Sequence, residues 1–258
     1  MLIDTHIHLD FEKYQSDLDQ VLQRAKDASV LYSICIGAGG GLESTDGAYN
    51  LAQKYPTQLF ATAGVHPHDA SKNISENDLI DRASRPGIVA IGETGFDFHY
   101  DFAPKQDQHK WFSFQIELAK SKKLPLIIHS REAGKESLEL LTKLNAHEAG
   151  GVFHCYSEDD QFAKKLKDIN FLVSCTGTVT FKKAQEYRNI IKNIPLDQLM
   201  LETDGPYMSP EPFRGQRSES AHVKIIAETI ATIHNTSLET VASITTQNAK
   251  RLFKLPIA

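Results

Sequence analysis

Short apolar runs and longer amphipathic stretches alternate along the whole chain. Leu2, Ile3 and Ile7 mark the first run. Leu31–Ile36, Leu59–Val65, Ile88–Ile91, Leu124–Ile128, Gly151–Phe153, Phe171–Cys175 and Leu199–Leu201 follow. Each is brief and bounded by polar residues, Gly or Pro, which predicts a buried strand. Between the runs, apolar residues recur every three or four positions, the period of a helix packed on one face. Leu18, Val21, Leu22, Ala25 and Ala28 show it, as do Leu51, Ala52 and Tyr55. Trp111, Phe114, Leu118 and Ala119 repeat it, then Leu138 with Leu141, then Phe162, Ala163, Leu166 and Ile169. Two such stretches close the chain, one with Val223, Ile226, Ala227 and Ile230, the other with Leu238, Val241 and Ile244.

Punctuation residues fit the same division. Ser44, Ser75 and Ser157 are predicted helix caps. Pro56 stops one helix, and Pro104 sits in the first turn of another. Thr180-Phe181-Lys182 is expected to open the helix before the last strand. Thr236 with Glu239 makes a capping-box pattern for the final helix. Strands alternating with helices imply a parallel sheet with right-handed crossovers. Eight of them in 258 residues, without a linker or low-complexity tract, predict an α/β fold of the closed (β/α)8 TIM-barrel type. The expected organisation is one domain over residues 1–258. An open doubly wound sheet is the alternative architecture.

Composition narrows the function classes. The chain is 41% hydrophobic and 24% charged, as in ordinary globular proteins. Its formal net charge of −5 gives no global attraction to nucleic acid or anionic membrane, so any phosphate recognition must be local. No apolar run nears the roughly 20 residues that span a bilayer. The three cysteines, Cys35, Cys155 and Cys175, have no paired spacing. With no secretory leader in view, they predict a reducing cytoplasm. Cys155 and Cys175 are expected to pack as small apolar groups, with Cys155 pointing away from its histidine neighbour.

The chemistry gathers at the predicted strand ends. His6 and His8 are two residues apart, so an extended strand turns both to one face. His66, Glu93, His129, His154, Glu202 and Asp204 each stand at or just past a later strand end. Of eleven histidines, six lie at such positions, His68 included. In a barrel those ends converge on one face. Imidazole and carboxylate suit divalent ions such as Zn and Mn. So many donors exceed the needs of one four-coordinate ion, and point to two ions bridged by Glu93. Three loops on the same face add cations: Arg131, Lys182 beside Lys183, and Arg214 with Arg217. The planar guanidinium matches phosphate. No aromatic stacking residues stand at obvious positions.

Seven motifs together resemble the TatD family of metal-dependent hydrolases. They are Thr5-His6-Ile7-His8, Gly64-Val65-His66-Pro67-His68, Ile91-Gly92-Glu93-Thr94-Gly95, Ile127-Ile128-His129-Ser130-Arg131, His154-Cys155-Tyr156-Ser157, Leu201-Glu202-Thr203-Asp204-Gly205-Pro206-Tyr207, and Thr245 through Phe253. The resemblance implies an amidohydrolase-type barrel and metal-dependent DNase activity, often from the 3′ end. It places metal ligands at His6, His8, Glu93, His129, His154 and Asp204, the set reached from the strand ends. Two motifs depart from the family pattern. Tyr156-Ser157-Glu158 adds a carboxylate, and Ser218-Glu219-Ser220 replaces an Asn-x-Pro segment.

The expected function is therefore a deoxyribonuclease that needs two divalent ions (Zn, Mg or Mn) and no organic cofactor. Asp204 and Glu93 are the expected catalytic residues, Asp204 as proton acceptor. Glu202 is expected to orient the site. His66, Arg131, Lys182, Arg214 and Arg217 are the expected substrate contacts. DNA is the expected partner, the membrane is not, and a monomer is expected. A small-molecule amidohydrolase or esterase on the same site is the first alternative. A metal-binding partner protein without catalysis is the second.

Overall fold

The computed structural model describes residues 1–257. Its eight strands are β1 (Leu2–Ile7), β2 (Val30–Cys35), β3 (Leu59–Ala63), β4 (Ile88–Asp97), β5 (Leu126–Arg131), β6 (Gly151–Phe153), β7 (Phe171–Cys175) and β8 (Leu199–Leu201). Every neighbouring pair is parallel, in the order β1 to β8. The helices are a short α1 (Glu12–Gln15), then α2 (Leu18–Asp27), α3 (Leu42–Lys54), α4 (Glu76–Ala83), α5 (Lys105–Lys122), α6 (Gly134–Lys143), α7 (Asp160–Asp168), α8 (Gln185–Asn193), α9 (Val223–Ile233) and α10 (Leu238–Phe253). This is the predicted (β/α)8 barrel.

The barrel closes between β1 and β8 at the strand ends that carry the histidines. The Asp204 N–H donates to the His6 carbonyl at 2.9 Å, and the His8 N–H to the Gly205 carbonyl at 2.8 Å. Thr5 Oγ1 donates to the Leu201 carbonyl at 3.0 Å. Asp4 fastens the same seam. Its carboxylate accepts from the Thr203 N–H and hydroxyl at 2.9 and 2.7 Å and from the Ser220 hydroxyl at 2.7 Å. Burial pushes the Asp4 carboxyl up to about 7 against those lowering bonds.

The opposite end is packed with hydrocarbon. Ile3, Val89, Ile127, Val152 and Met200, each the second residue of its strand, share one cluster with Phe253 and Leu255 from the C-terminal segment. They form a side-chain layer of the kind that fills such barrels. The buried histidines, His6, His8, His66 and His154, by contrast stand at or just past the C-terminal ends.

The strand limits differ from the sequence expectation in one consequential way. The apolar run Ile88–Ile91 was expected to end the fourth strand, but β4 continues to Asp97. Its continuation pairs with β5, Thr94 with Ile128 and Gly95 with His129, beyond a register shift after Ile91. Backbone pairing, unlike apolarity, does not stop at Gly92. Glu93 and His129 consequently lie inside strands. Two glycines make this possible. At Gly92 (φ 152°) a Cβ would meet the Ile127 carbonyl, and at Gly95 (φ 136°) the His129 carbonyl.

Three caps and one helix start also move. α3 begins after Gly41, whose φ of 73° suits glycine, and Ser44 lies buried inside the helix. Asp159, not Ser157, caps α7 by accepting from the Phe162 N–H at 2.7 Å. Ser237, not Thr236, caps α10 through the Thr240 N–H at 3.1 Å. Thr180 ends a 3-10 turn, and α8 starts only at Gln185.

Two buried glutamines of α5, one heptad apart, bind the strand ends. Gln115 accepts from the Val65 N–H at 2.8 Å and donates to the Val65 carbonyl at 3.0 Å and Thr94 Oγ1 at 2.7 Å. Gln108 does the same for the Asp97 backbone, at 2.9 and 3.1 Å. These backbone groups have no water to turn to. Gln115→Leu keeps the length but orphans the Val65 N–H, which alone costs about 1–3 kcal/mol. Urea unfolding should show at least that loss, and a change below a few tenths would contradict it.

Candidate metal centre

His6 lies near the end of β1 and His8 just past it, two residues apart and so on one side of the chain. The Nε2 atoms of His6 and His8 lie 3.3 Å apart. Glu93 Oε2 lies 3.5 Å from the first and 3.8 Å from the second. Asp204 Oδ1 is 3.7 Å from both. Asp204 is held in the left-handed region at φ 52°, which Asp tolerates better than most residues. Four donor atoms thus surround one point.

The other oxygen of Glu93 faces a second group. Oε1 is 2.7 Å from His154 Nε2 and 2.8 Å from His129 Nδ1, and those two nitrogens are 3.4 Å apart. His66 Nε2 approaches the same oxygen at 3.4 Å.

A four-coordinate ion with bonds of about 2.0–2.2 Å spaces its ligand atoms about 3.3–3.6 Å apart. The first group has nearly that spacing. The second is drawn in to hydrogen-bond length around Glu93 Oε1, as a carboxylate and imidazoles do when they share protons. His6, His8 and His154 each keep a buried Nδ1 with no hydrogen-bond partner. Imidazole and carboxylate donors at these separations fit divalent ions.

Two carboxylates stand behind the histidines. Asp97 Oδ2 accepts from His129 Nε2 at 3.0 Å and His68 Nε2 at 2.7 Å. Glu202 accepts from the Cys155 N–H and Ser174 Oγ, both at 2.6 Å, and lies 3.5 Å from His154 Nδ1. A carboxylate behind a ligating imidazole fixes its ring and tautomer. Glu202 was anticipated from the sequence. Asp97 was not, although it stands four residues after Glu93 on the same strand face.

The electrostatics are dominated by burial and by charge pairing. Burial alone would raise Glu93, but His154, His66 and His129 around it hold it well below its usual range. Burial takes His66 down to about 4 despite Glu93 beside it. Burial opposes protonation of His154, yet Glu93 and Glu202 raise it well above an ordinary histidine. Asp97 likewise overcomes burial through its imidazole and backbone donors and stays low.

A cavity of about 910 Å³ opens over both groups. His66 and Arg131 line it, while Lys182, Arg214 and Arg217 do not. Arg214 stands beside it, 4.3 Å over the ring of Phe181, which is part of the wall. Arg217 is committed elsewhere, with both its terminal nitrogens 2.7 Å from Asp17 carboxylate oxygens and one also 2.6 Å from Glu219. Glu219 also pairs with Arg24 at 2.7 Å, so the departing Ser218-Glu219-Ser220 segment pins its loop to α2. Two expectations are corrected. Cys155 lines the cavity, because the chain leaves β6 at Phe153 and Cys155 turns at φ 45°, which ends strand alternation. Burial pushes its thiol up to about 12. Aromatic rings are present too: Phe11, Tyr100, Phe102, Phe181 and Tyr207 all line the wall. They sit in loops, where no periodicity announces them.

The family profile described as TatD related DNase matches residues 3–254. The chain belongs to the TatD family. It is 40% identical to the uncharacterized metal-dependent hydrolase YabD of Bacillus subtilis strain 168, over 99% of this chain and 100% of that protein. It is 32% identical to the 3'-5' ssDNA/RNA exonuclease TatD of Pectobacterium parmentieri strain WPP163, over 98% and 100%. Among solved structures, the TatD homologue YjjV of Escherichia coli K12 superposes with a TM-score of 0.90 at 28% identity, over 99% of this chain and 98% of that one. Membership makes this TatD chain a metal-dependent hydrolase, as the donor set suggests. Among the described residues no helix is long and apolar enough to cross a membrane.

Glu202 gives the site its most direct test of supporting geometry. Glu202→Gln keeps the size and one acceptor but removes the charge behind His154. Metal affinity should fall about 10–100-fold, read by competition with a fluorescent chelator. An unchanged affinity would assign Glu202 to the fold alone.

Proposed function

We propose that this member of the TatD family is a phosphodiesterase acting on DNA, with His6, His8, Glu93 and Asp204 around one divalent ion and Glu93, His129 and His154 around another. One observation carries the reading. Three cations lie over aromatic rings of the cavity wall, each ring on a separate loop: Lys13 over Tyr207, Arg131 over Tyr100 and Arg214 over Phe181, at 5.5, 4.7 and 4.3 Å. A chain of net charge −5 has concentrated cations beside stacking surfaces at one mouth. Phosphate and base are the chemistry such pairs recognise. The relative named as an ssDNA/RNA exonuclease supports a nucleic-acid substrate and a 3′ start.

Divalent ions in this site would withdraw charge from a phosphoryl group and make a water more acidic. The chain's own residues do the rest. Arg131 and Arg214 hold the phosphate backbone at the rim. His66, kept neutral by burial, can donate a hydrogen bond to a phosphate oxygen. Asp204 turns Oδ1 toward His6 and His8, which leaves its second oxygen to take the proton of the attacking water. Glu93 is too deeply engaged with imidazoles for that role.

The direct assay is a panel of labelled DNA, RNA and small esters with Zn, Mg or Mn. Metal-dependent shortening of DNA is expected. Hydrolysis of esters or lactones alone would favour the small-molecule alternative.

Asp204→Asn should fold, since Asn also accepts left-handed φ, and should retain metal. Turnover should drop about 10²–10⁴-fold, the range of general-base loss. Activity within a few-fold of the parent at equal metal content would move the base elsewhere.

Metal counting tests the two-ion arrangement separately. Protein prepared without chelator should approach two ions per chain by plasma emission, and His129→Ala about one. Saturation of the parent at one ion would overturn the arrangement.

A further inference from the structure

The cavity wall offers two aromatic platforms, one beside each group of metal donors. The first rises from the His6–His8 side. Phe11 stacks on His8 with ring centroids 4.9 Å apart, and Tyr207 meets Phe11 edge-on at 6.4 Å. The second rises from the His129 side. His68 shares Asp97 with His129, and the rings of Phe102 and Tyr100 lie 4.7 and 5.7 Å from His68. Tyr100 and Phe102 are 5.3 Å apart. Glu93 stands between the two sides.

Phe11 is partly buried against the core, but the other three rings are exposed. Tyr207 is 50% exposed, Tyr100 43% and Phe102 61%, among the few large hydrophobic residues the chain leaves in solvent. Each platform carries a cation, Lys13 on Tyr207 and Arg131 on Tyr100. A half-exposed ring with a cation over it takes a flat π-system linked to an anion, which is a nucleotide. A simple ester or lactone would have no use for two of them. The cavity, at about 910 Å³, is at the upper end of the roughly 300–1,000 Å³ usual for small ligands.

We propose that the two platforms grip the two bases flanking the scissile phosphate, so the site recognises a dinucleotide step and not a lone phosphate ester. Tyr207 with Phe11 takes one base, Phe102 with Tyr100 the other. The phosphate between them then falls over Glu93. The inference rests on the phosphodiesterase reading and adds which residues set the register of the strand. It predicts tolerance of base identity, because every base has a π-face. A base-paired end would be refused, because both bases must leave the stack to reach opposite walls.

The test pairs substrate lesions with protein variants, using the full metal-loaded chain. Single-stranded oligonucleotides carry one abasic residue on either side of the cleaved bond. With the parent, each lesion should raise KM about 5–100-fold, with a smaller change in kcat. Phe102→Leu should abolish the penalty of the lesion on one side only, and Tyr207→Leu that of the lesion on the other side only. Both changes are on exposed side chains, and circular dichroism with a metal count checks that each variant is intact. The proposal is overturned if both lesions keep their full penalty in both variants, or if each variant dulls both sides equally. Failure of the parent to cleave any oligonucleotide overturns the phosphodiesterase reading and the platforms with it. Cleavage without this crossed pattern overturns the platforms alone.

Discussion

Everything at the active end depends on one carboxylate that two sets of imidazoles share. Glu93 turns one oxygen to His6 and His8 and the other to His129 and His154. A buried carboxylate costs several kcal/mol unless charge or hydrogen bonds compensate it. Here the compensation comes from histidines on β1, β5 and past β6, so the barrel must close for Glu93 to be tolerated at all. The constraint also runs the other way. The histidines crowd one another within 3.3–3.4 Å and need an anion, or a cation that accepts their lone pairs, between them.

The fold supplies this with stiff parts. Glu93 rides in the middle of β4, bracketed by Gly92 and Gly95, where any side chain would strike β5. Asp97 holds His129 from behind, Glu202 stands 3.5 Å behind His154, and Gln108 and Gln115 hold the backbone beneath. Asp4 locks the seam that brings Asp204 next to His6. The exposed rings and the cations over them stand at the rim.

Much of this was legible in the sequence, because a parallel barrel writes one functional residue per strand end. His6, His8, His66, His129, His154 and Asp204 each follow an apolar run, and the pattern needs no three-dimensional information. Asp97 was hidden because apolarity ends at Ile91 while hydrogen-bonded pairing with β5 continues. Arg217 looked like Arg131 in sequence; only the folded chain brings Asp17 and Glu219 against it and withdraws it from substrate. Tyr100, Phe102 and Tyr207 sit in loops, where a ring's orientation is set by tertiary contact. The caps at Ser44, Ser157 and Thr236 erred by one to three residues, since neighbouring polar residues compete for the same role and backbone φ decides.

The central claim is that Glu93 separates two metal positions. Anomalous diffraction from crystals of the protein loaded with Zn or Mn tests it most directly. The account predicts two peaks about 3.5–4 Å apart, one within bonding distance of His6, His8 and Asp204, the other of His129 and His154, with Glu93 touching both. A single peak at saturating metal, or a second peak that Glu93 does not contact, would contradict it.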